Sequence, residues 1–254
     1  MNEQEAYILL AQRLGMPPGA MPFLAEIVRD ALIINPMRPE TLKPLGRLLE
    51  LRPGMKILDL ACGKAGVSLP LVRTYKVNLT GIDLMPDFIR DCWARAENAG
   101  LYEQCRFILG DAARFAAETK GKWDAVFLLG ALPSIWEGLE TGLEQLKGLV
   151  NEGGRLVVGL EYLRPEWDGR FGQGFFSREE TQECLSRAGS IVEVFDDGPA
   201  GMEAFWASQQ KSIDLLREKN PGNGNLLAFL DKWSEEMEWE VKNIGFAVWV
   251  LKTR

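Results

Sequence analysis

The chain of 254 residues contains no histidine. That excludes a histidine general base, a Ser-His-Asp triad and any imidazole-bound metal. Cysteine is scarce: Cys62, Cys92, Cys105 and Cys184, none of them in a C-x-x-C pair. Such spacing reads as free, mostly buried thiols of a reducing compartment rather than a disulfide framework or a zinc site. No apolar run approaches the roughly 20 residues of a membrane span. The opening MNEQEAYILL is acidic and lacks the basic segment of a secretion signal. A cytoplasmic protein without a membrane partner is therefore expected. Charge of positive sign is also short, with 29 Lys and Arg against 36 Asp and Glu and a net charge of −7. That balance, with no basic run, argues against nucleic acid as the main partner.

What is present is an ordinary globular composition, 46% hydrophobic and 26% charged, in a chain long enough to bury its own core. Residues 6–14, 23–34 and 39–51 show helical spacing or helix-like composition, interrupted by MPPGAMP (16–22) and stopped at Asn35-Pro36. From Lys56 the texture changes. Short apolar runs at 57–61, 77–83, 106–111, 124–130 and 155–162 alternate with helical stretches near 65–75, 86–100 and 138–150. Strands alternating with helices imply β-α-β units and a parallel sheet covered on both faces. A helix follows at 177–189, with Ser177 and Glu180 forming a capping box, then a strand at 191–197. Two amphipathic helices within 199–242 precede a last strand at 245–251. The expectation is one α/β domain over 1–254. Its core spans 51–198 and 243–254. An N-terminal helical cap (1–50) and a helical insertion (199–242) cover the cleft as a lid.

The informative segment is KILDLACGKAG (56–66), an apolar strand ending in a small-residue turn that opens a helix. Ligands in open α/β sheets sit at such strand ends. Read as a glycine fingerprint it is Ala61-x-Gly63-x-x-Gly66, which is weak by itself. Asp59 sharpens it. A carboxylate two residues before the turn would repel a pyrophosphate by about 1 to 4 kcal/mol at close range, and suits a cationic ligand better. Asp83 closes the second strand 24 residues later, where an acid can grip both ribose hydroxyls. Asp111 closes the third, where a carboxylate can accept from an adenine amino group. Each aspartate can also simply cap the helix that follows it.

KILDLACGKAG, LTGIDLMPDFI, FILGDAARF, DAVFLLGAL and the Gly153-Gly154 turn before RLVVGLEYL resemble the ordered motifs of class I S-adenosylmethionine-dependent methyltransferases. The likeness covers about residues 55–163, and the last strand is consistent with it. The longer segment from Asn35 to Lys64 is similar to small-molecule methyltransferases of unassigned substrate. The resemblance implies a Rossmann-like seven-stranded sheet in the order 3-2-1-4-5-7-6 with the last strand antiparallel. It implies that Asp59, Ala61, Cys62 and Gly63 line the methionine part of S-adenosylmethionine. It also implies that Asp83 holds the ribose, Leu84 and Met85 flank the adenine, Asp111 and Ala112 read its edge, and Leu129 and Gly130 lie beside the cofactor. Ala61 and Ala65 depart from the family, which usually has glycine at both places.

Methyl transfer is an in-line displacement that needs the nucleophile held about 3 to 3.5 Å from the methyl carbon. It needs a base only when the acceptor must lose a proton. Glu161 and Tyr162, ending the fifth strand, are the candidates for that base and for substrate contact. Trp136, Trp167, Phe171 and Phe175 lie in loops at or beyond the same strand ends and suit an acceptor wall. Trp206, Trp233 and Trp239 on the inserted helices suit either the wall or the core. The expected partner is a small-molecule methyl acceptor, of which the sequence specifies neither the identity nor the attacking atom. A nucleic-acid methyltransferase is disfavoured further by Gly130-Ala131-Leu132-Pro133, which replaces an Asn-Pro-Pro-Tyr signature. The remaining alternatives are an NAD-dependent oxidoreductase using the same turn, and a methyltransferase-like module that binds without turnover.

Overall fold

The computed structural model describes residues 1–254 apart from 168, 170–174 and 254. Seven strands form one sheet: β1 (Lys56–Leu60), β2 (Asn78–Asp83), β3 (Cys105–Leu109), β4 (Trp123–Leu129), β5 (Val150–Leu163), β6 (Ser190–Asp196) and β7 (Ile244–Lys252). Their order is β3-β2-β1-β4-β5-β7-β6. The first five are parallel, and β7 runs antiparallel to both of its neighbours. This is the order and direction that the motifs imply.

Eleven α-helices are described: α1 (Glu3–Arg13), α2 (Met21–Ile27), α3 (Leu42–Leu48), α4 (Ser68–Tyr75), α5 (Pro86–Asn98), α6 (Ala112–Glu118), α7 (Leu132–Ile135), α8 (Leu139–Leu149), α9 (Arg178–Ala188), α10 (Gly198–Lys219) and α11 (Gly224–Asn243). The sheet alternates strictly, as period-two backbone requires. On β4, Ala125, Phe127 and Leu129 face one core, shared with α3, α4, α5 and residues of α10 and α11. Val126 and Leu128 face the other, under α6, α8 and α9. A third cluster joins α2, α5, α10 and α11 above the strand ends. The two helices within 199–242 do stand between β6 and β7, and the Ser177–Glu180 capping box starts α9.

Three expectations about elements change. The helix expected over 23–34 stops at Ile27, and residues 28–35 run irregularly. Beyond it the Arg29 and Ala31 N–H groups bond three residues back, to the carbonyls of Glu26 and Val28, and the carbonyls of Val28 and Arg29 accept from the Lys64 ammonium at 2.8 and 2.7 Å. β5 begins earlier than expected, at Val150, which pairs with Trp123; the Gly153-Gly154 pair, with Gly153 at φ 71°, lies in the break of register that follows, and regular pairing with β4 resumes at Arg155. The segment 39–51 opens with a 3-10 turn (Pro39–Thr41), leaving only seven residues of α-helix in α3.

Candidate active site

The turn after β1 is built on left-handed backbone. Ala61, Gly63 and Ala65 have φ of 51°, 52° and 52°. Glycine takes that conformation freely, whereas a residue with a Cβ loses about 1 kcal/mol there. This is why glycine is usual at the two alanine positions, and the fold nonetheless holds both alanines in the required shape. Gly66 is needed for a different reason. A Cβ there would lie 2.1 Å from the carbonyl oxygen of Leu32, so the third glycine admits the N-terminal segment rather than a ligand.

Asp83 is the hub of the site. One carboxylate oxygen accepts from the Gly63 N–H at 2.7 Å and the other from the Met85 N–H at 2.8 Å. It thereby joins the turns after β1 and β2. Burial raises its pKa to about 6, opposed by those N–H donors. Asp59 is 4% exposed, and no basic side chain among the described residues forms an ion pair with it. Burial raises its pKa to about 7, against the lowering effect of the Ser68 hydroxyl, and the nearby Asp83 pushes it up further. Asp111 is engaged differently. One oxygen caps α6 through the Ala113 N–H at 2.9 Å, and the other meets Arg13 of α1 at 2.7 Å.

Two cavities open above these residues. One, about 210 Å³, is lined by Asp83, Leu84, Met85, Ala112 and Gly130, with Arg13 and Leu14 of the N-terminal region above. The other, about 30 Å³, is lined by Asp59, Cys62 and Gly66, under Leu32, Ile33 and Asn35. Ile34, Ala61, Gly63 and Leu129 border both. The cavities therefore meet at the ends of β1 and β4. Of the residues expected to bind cofactor, all but Asp111 line one or the other.

The residues expected to meet the acceptor are not gathered in one place. Glu161 and Tyr162 are consecutive on a strand and so take opposite faces. Glu161 pairs with Phe246 on the α10–α11 side, where burial raises its pKa to about 7. Its neighbour Glu240 is raised to about 8, by burial and by Glu161. Tyr162 packs against Trp249 on the other face and donates to Asp196 at 2.7 Å. Burial and the Asp196 carboxylate push the pKa of this phenol up, and it lies on the face of the sheet opposite Glu161. Trp136 and Glu161 border a cavity of about 340 Å³ together with Phe175 and Phe176. Trp167 is exposed. Trp206 and Trp233 pack into the cluster above the strand ends, and Trp239 is buried against the sheet. Phe171 lies outside the described residues. Among the described residues no three His, Cys, Asp or Glu side chains are grouped to hold a metal, the four cysteines are unpaired, and no helix is long and apolar enough to cross a membrane.

Sequence reasoning missed Arg13, Leu14, Ile34 and Asn35, which roof the cavities, and Glu240, which faces Glu161. None sits in a motif. Only the Asn35-Pro36 break hinted that the chain changes course there.

Comparison with known proteins agrees with this geometry. Residues 57–154 match a family described as a methyltransferase domain. An uncharacterised Escherichia coli protein, YjhP, is 34% identical over 132 residues, 52% of each chain; the match thus spans about half the length of that relative. A 27-O-demethylrifamycin SV methyltransferase from Amycolatopsis mediterranei is 25% identical over 190 residues, 69% of this chain and 68% of its own. A crystal structure of a S-adenosylmethionine-dependent methyltransferase from Geobacter sulfurreducens, in complex with S-adenosyl-L-homocysteine, superposes with a TM-score of 0.80 at 25% identity. It covers 92% of this chain and 98% of that one. Residues 57–154 thus match a methyltransferase domain, and the chain has the fold of a S-adenosylmethionine-dependent methyltransferase crystallised with S-adenosyl-L-homocysteine.

Proposed function

We propose that this protein transfers a methyl group from S-adenosylmethionine to a small-molecule acceptor by in-line displacement. The observation that carries the reading is the junction of the two cavities: a buried aspartate without a cationic partner, Asp59, lies in one, and Asp83, with an acceptor site left on each oxygen, in the other. A buried carboxylate normally has a partner or a proton. Asp59 has no basic partner in the protein, and the ammonium of a methionyl group supplies one. Asp83 spends one acceptor site per oxygen on backbone N–H groups and keeps lone pairs for two hydroxyls. These features fit the cofactor well.

In this reading Asp59, Ala61, Cys62 and Gly63 hold the methionyl part, Asp83 the ribose, and Leu84, Met85 and Phe88 the adenine faces. Asp111 and Ala112 meet the adenine edge, with Arg13 fixing the Asp111 carboxylate. Leu129 and Gly130 border the point of transfer with Ile34, and the Leu129 and Ile34 side chains exclude water from it. The bound cofactor supplies an electrophilic methyl on a sulfonium. Glu161 takes up the proton when the acceptor must lose one, and its raised pKa suits a base near neutrality. The N-terminal cap and the pair α10–α11 cover the site as a lid. The relation to a rifamycin-modifying enzyme and the acidic net charge support a small-molecule acceptor over a nucleic acid.

Calorimetric titration with S-adenosylhomocysteine and with NAD tests the cofactor. The expected outcome is saturable binding of the first and none of the second; the reverse result selects the oxidoreductase alternative. Release of S-adenosylhomocysteine during incubation with S-adenosylmethionine and a library of small acceptors then separates an enzyme from a binding module.

A further inference from the structure

The irregular segment 28–35 lies across the turns that follow β1 and β4. The Leu32 carbonyl packs on Gly66, the Ile34 side chain reaches the Gly63 Cα face, and the Asn35 Cβ approaches Gly130. Asn35 also donates to the Leu129 carbonyl at 3.5 Å and accepts from the Met37 N–H at 2.9 Å. The strap so formed leaves about 30 Å³ over Asp59. That is room for about one or two waters, well short of a methionyl chain. A methionyl group seated over Asp59 would lie directly under this strap.

One side chain fastens the strap to the turn beneath it. Lys64 lies inside the small-residue turn, between Gly63 and Ala65, yet its side chain is 4% exposed. Its ammonium donates to the carbonyls of Val28 and Arg29, stands 5.7 Å over the Phe88 ring and lies 3.8 Å from Asp91. The Lys64 carbonyl in turn accepts from Arg95 of α5. Burying a lysine is costly unless its charge is satisfied, and here the satisfying groups are two carbonyls just past the end of α2, where a cation is favoured. The charge is therefore used to hold one backbone segment against another, and it touches neither cavity.

We propose that Lys64 is a positioning residue for the cofactor. It ties the end of α2 to the turn after β1, and so holds the 28–35 strap as a gate over the methionyl cavity. This rests on the functional reading above, and the experiment keeps the two apart. S-adenosylhomocysteine binding to the parent protein is followed by rapid mixing, and amide exchange over 28–37 is measured with and without it. The same is done for Lys64→Met and Lys64→Arg. Trypsin cleavage after Arg29, which is exposed, gives a second readout.

In the parent, bound S-adenosylhomocysteine is expected to slow exchange over 28–37 and cleavage after Arg29 by about tenfold or more. Lys64→Met is expected to speed S-adenosylhomocysteine dissociation and Arg29 cleavage by about tenfold, and Lys64→Arg to recover most of both. If the parent fails to bind S-adenosylhomocysteine, the functional reading falls. If it binds while exchange over 28–37 stays unchanged, the gate falls, and this test needs no variant to fold. If a folded Lys64→Met keeps parental rates of dissociation and cleavage, the role of Lys64 falls.

Discussion

The floor and the roof of the site are made by different means. The floor, at the ends of β1 to β4, is local: each aspartate sits within a turn of the strand that delivers it, and Asp83 joins neighbouring turns by two backbone hydrogen bonds. The roof is assembled from afar. Arg13 reaches Asp111 across 98 positions, Tyr7 reaches Asp87 across 80 at 2.5 Å, and Lys64 reaches Val28 across 36. In the proposed function a floor of this kind can serve any acceptor, because it would read only the cofactor. A roof of this kind can vary without disturbing the floor, and it is where acceptor choice belongs.

The contrast is broken most strongly through Asp83. Asp83→Ala removes two charge-assisted hydrogen bonds of roughly 1.5–3 kcal/mol each and the ribose grip with them. Titration is expected to show S-adenosylhomocysteine affinity down by about 100-fold or more. Arg13→Ala, a change in the roof, is expected to cost about tenfold in the same titration. Equal losses would mean that floor and roof are one cooperative unit.

pH sharpens the comparison. Asp59 and Asp83 have folded pKa values near 7 and 6, above the ordinary value of 3.8; Glu161 and Glu240, near 7 and 8, lie above 4.5. Between about pH 4 and 8 the folded state thus holds more protons than the unfolded state, so stability falls as pH rises through this window. The ligand-free melting temperature is expected to drop from pH 5 to pH 8. Saturating S-adenosylhomocysteine should flatten that slope, because its ammonium favours the charged form of Asp59. A melting temperature that rises over this range would contradict the burial of these acids. On an acceptor that must lose a proton, kcat/KM is expected to rise with pH to a plateau above about 7. Glu161→Gln should remove that limb and leave S-adenosylhomocysteine affinity within about threefold.

The smallest expected effect is that of Ala61→Gly. Relief of the positive φ contributes about 1 kcal/mol, and the freer unfolded chain takes back about 0.4–1. A shift of the melting temperature by no more than about 2 °C and an unchanged affinity are expected. A large gain in affinity would show that the alanine methyl crowds the ligand.

The same division explains what the sequence makes legible. The sheet order followed from strand motifs, and the placement of Asp59, Asp83 and the small-residue turn followed from their positions at strand ends. The pairing of Glu161 with Tyr162 as joint candidates failed on a rule already readable in the chain: neighbours on a strand face opposite ways. Asp111 ends β3 as expected, but what holds its carboxylate is Arg13, and no local pattern joins residue 13 to residue 111. Helical spacing over 23–34 was real, yet the helix ends at Ile27, and the carbonyls just past it accept from a buried lysine of the turn after β1. A non-local contact to backbone groups leaves no local signature.

The central claim is that the chain binds the methyl-donor nucleoside through Asp59 and Asp83. Its most direct measurement is titration of Asp59→Asn and the parent with S-adenosylhomocysteine in buffers of different ionisation enthalpy at pH 6.5. The parent is expected to bind with release of a fraction of a proton, and Asp59→Asn to bind at least about tenfold more weakly with that release diminished. Equal affinity and equal proton release in the two proteins would contradict the account.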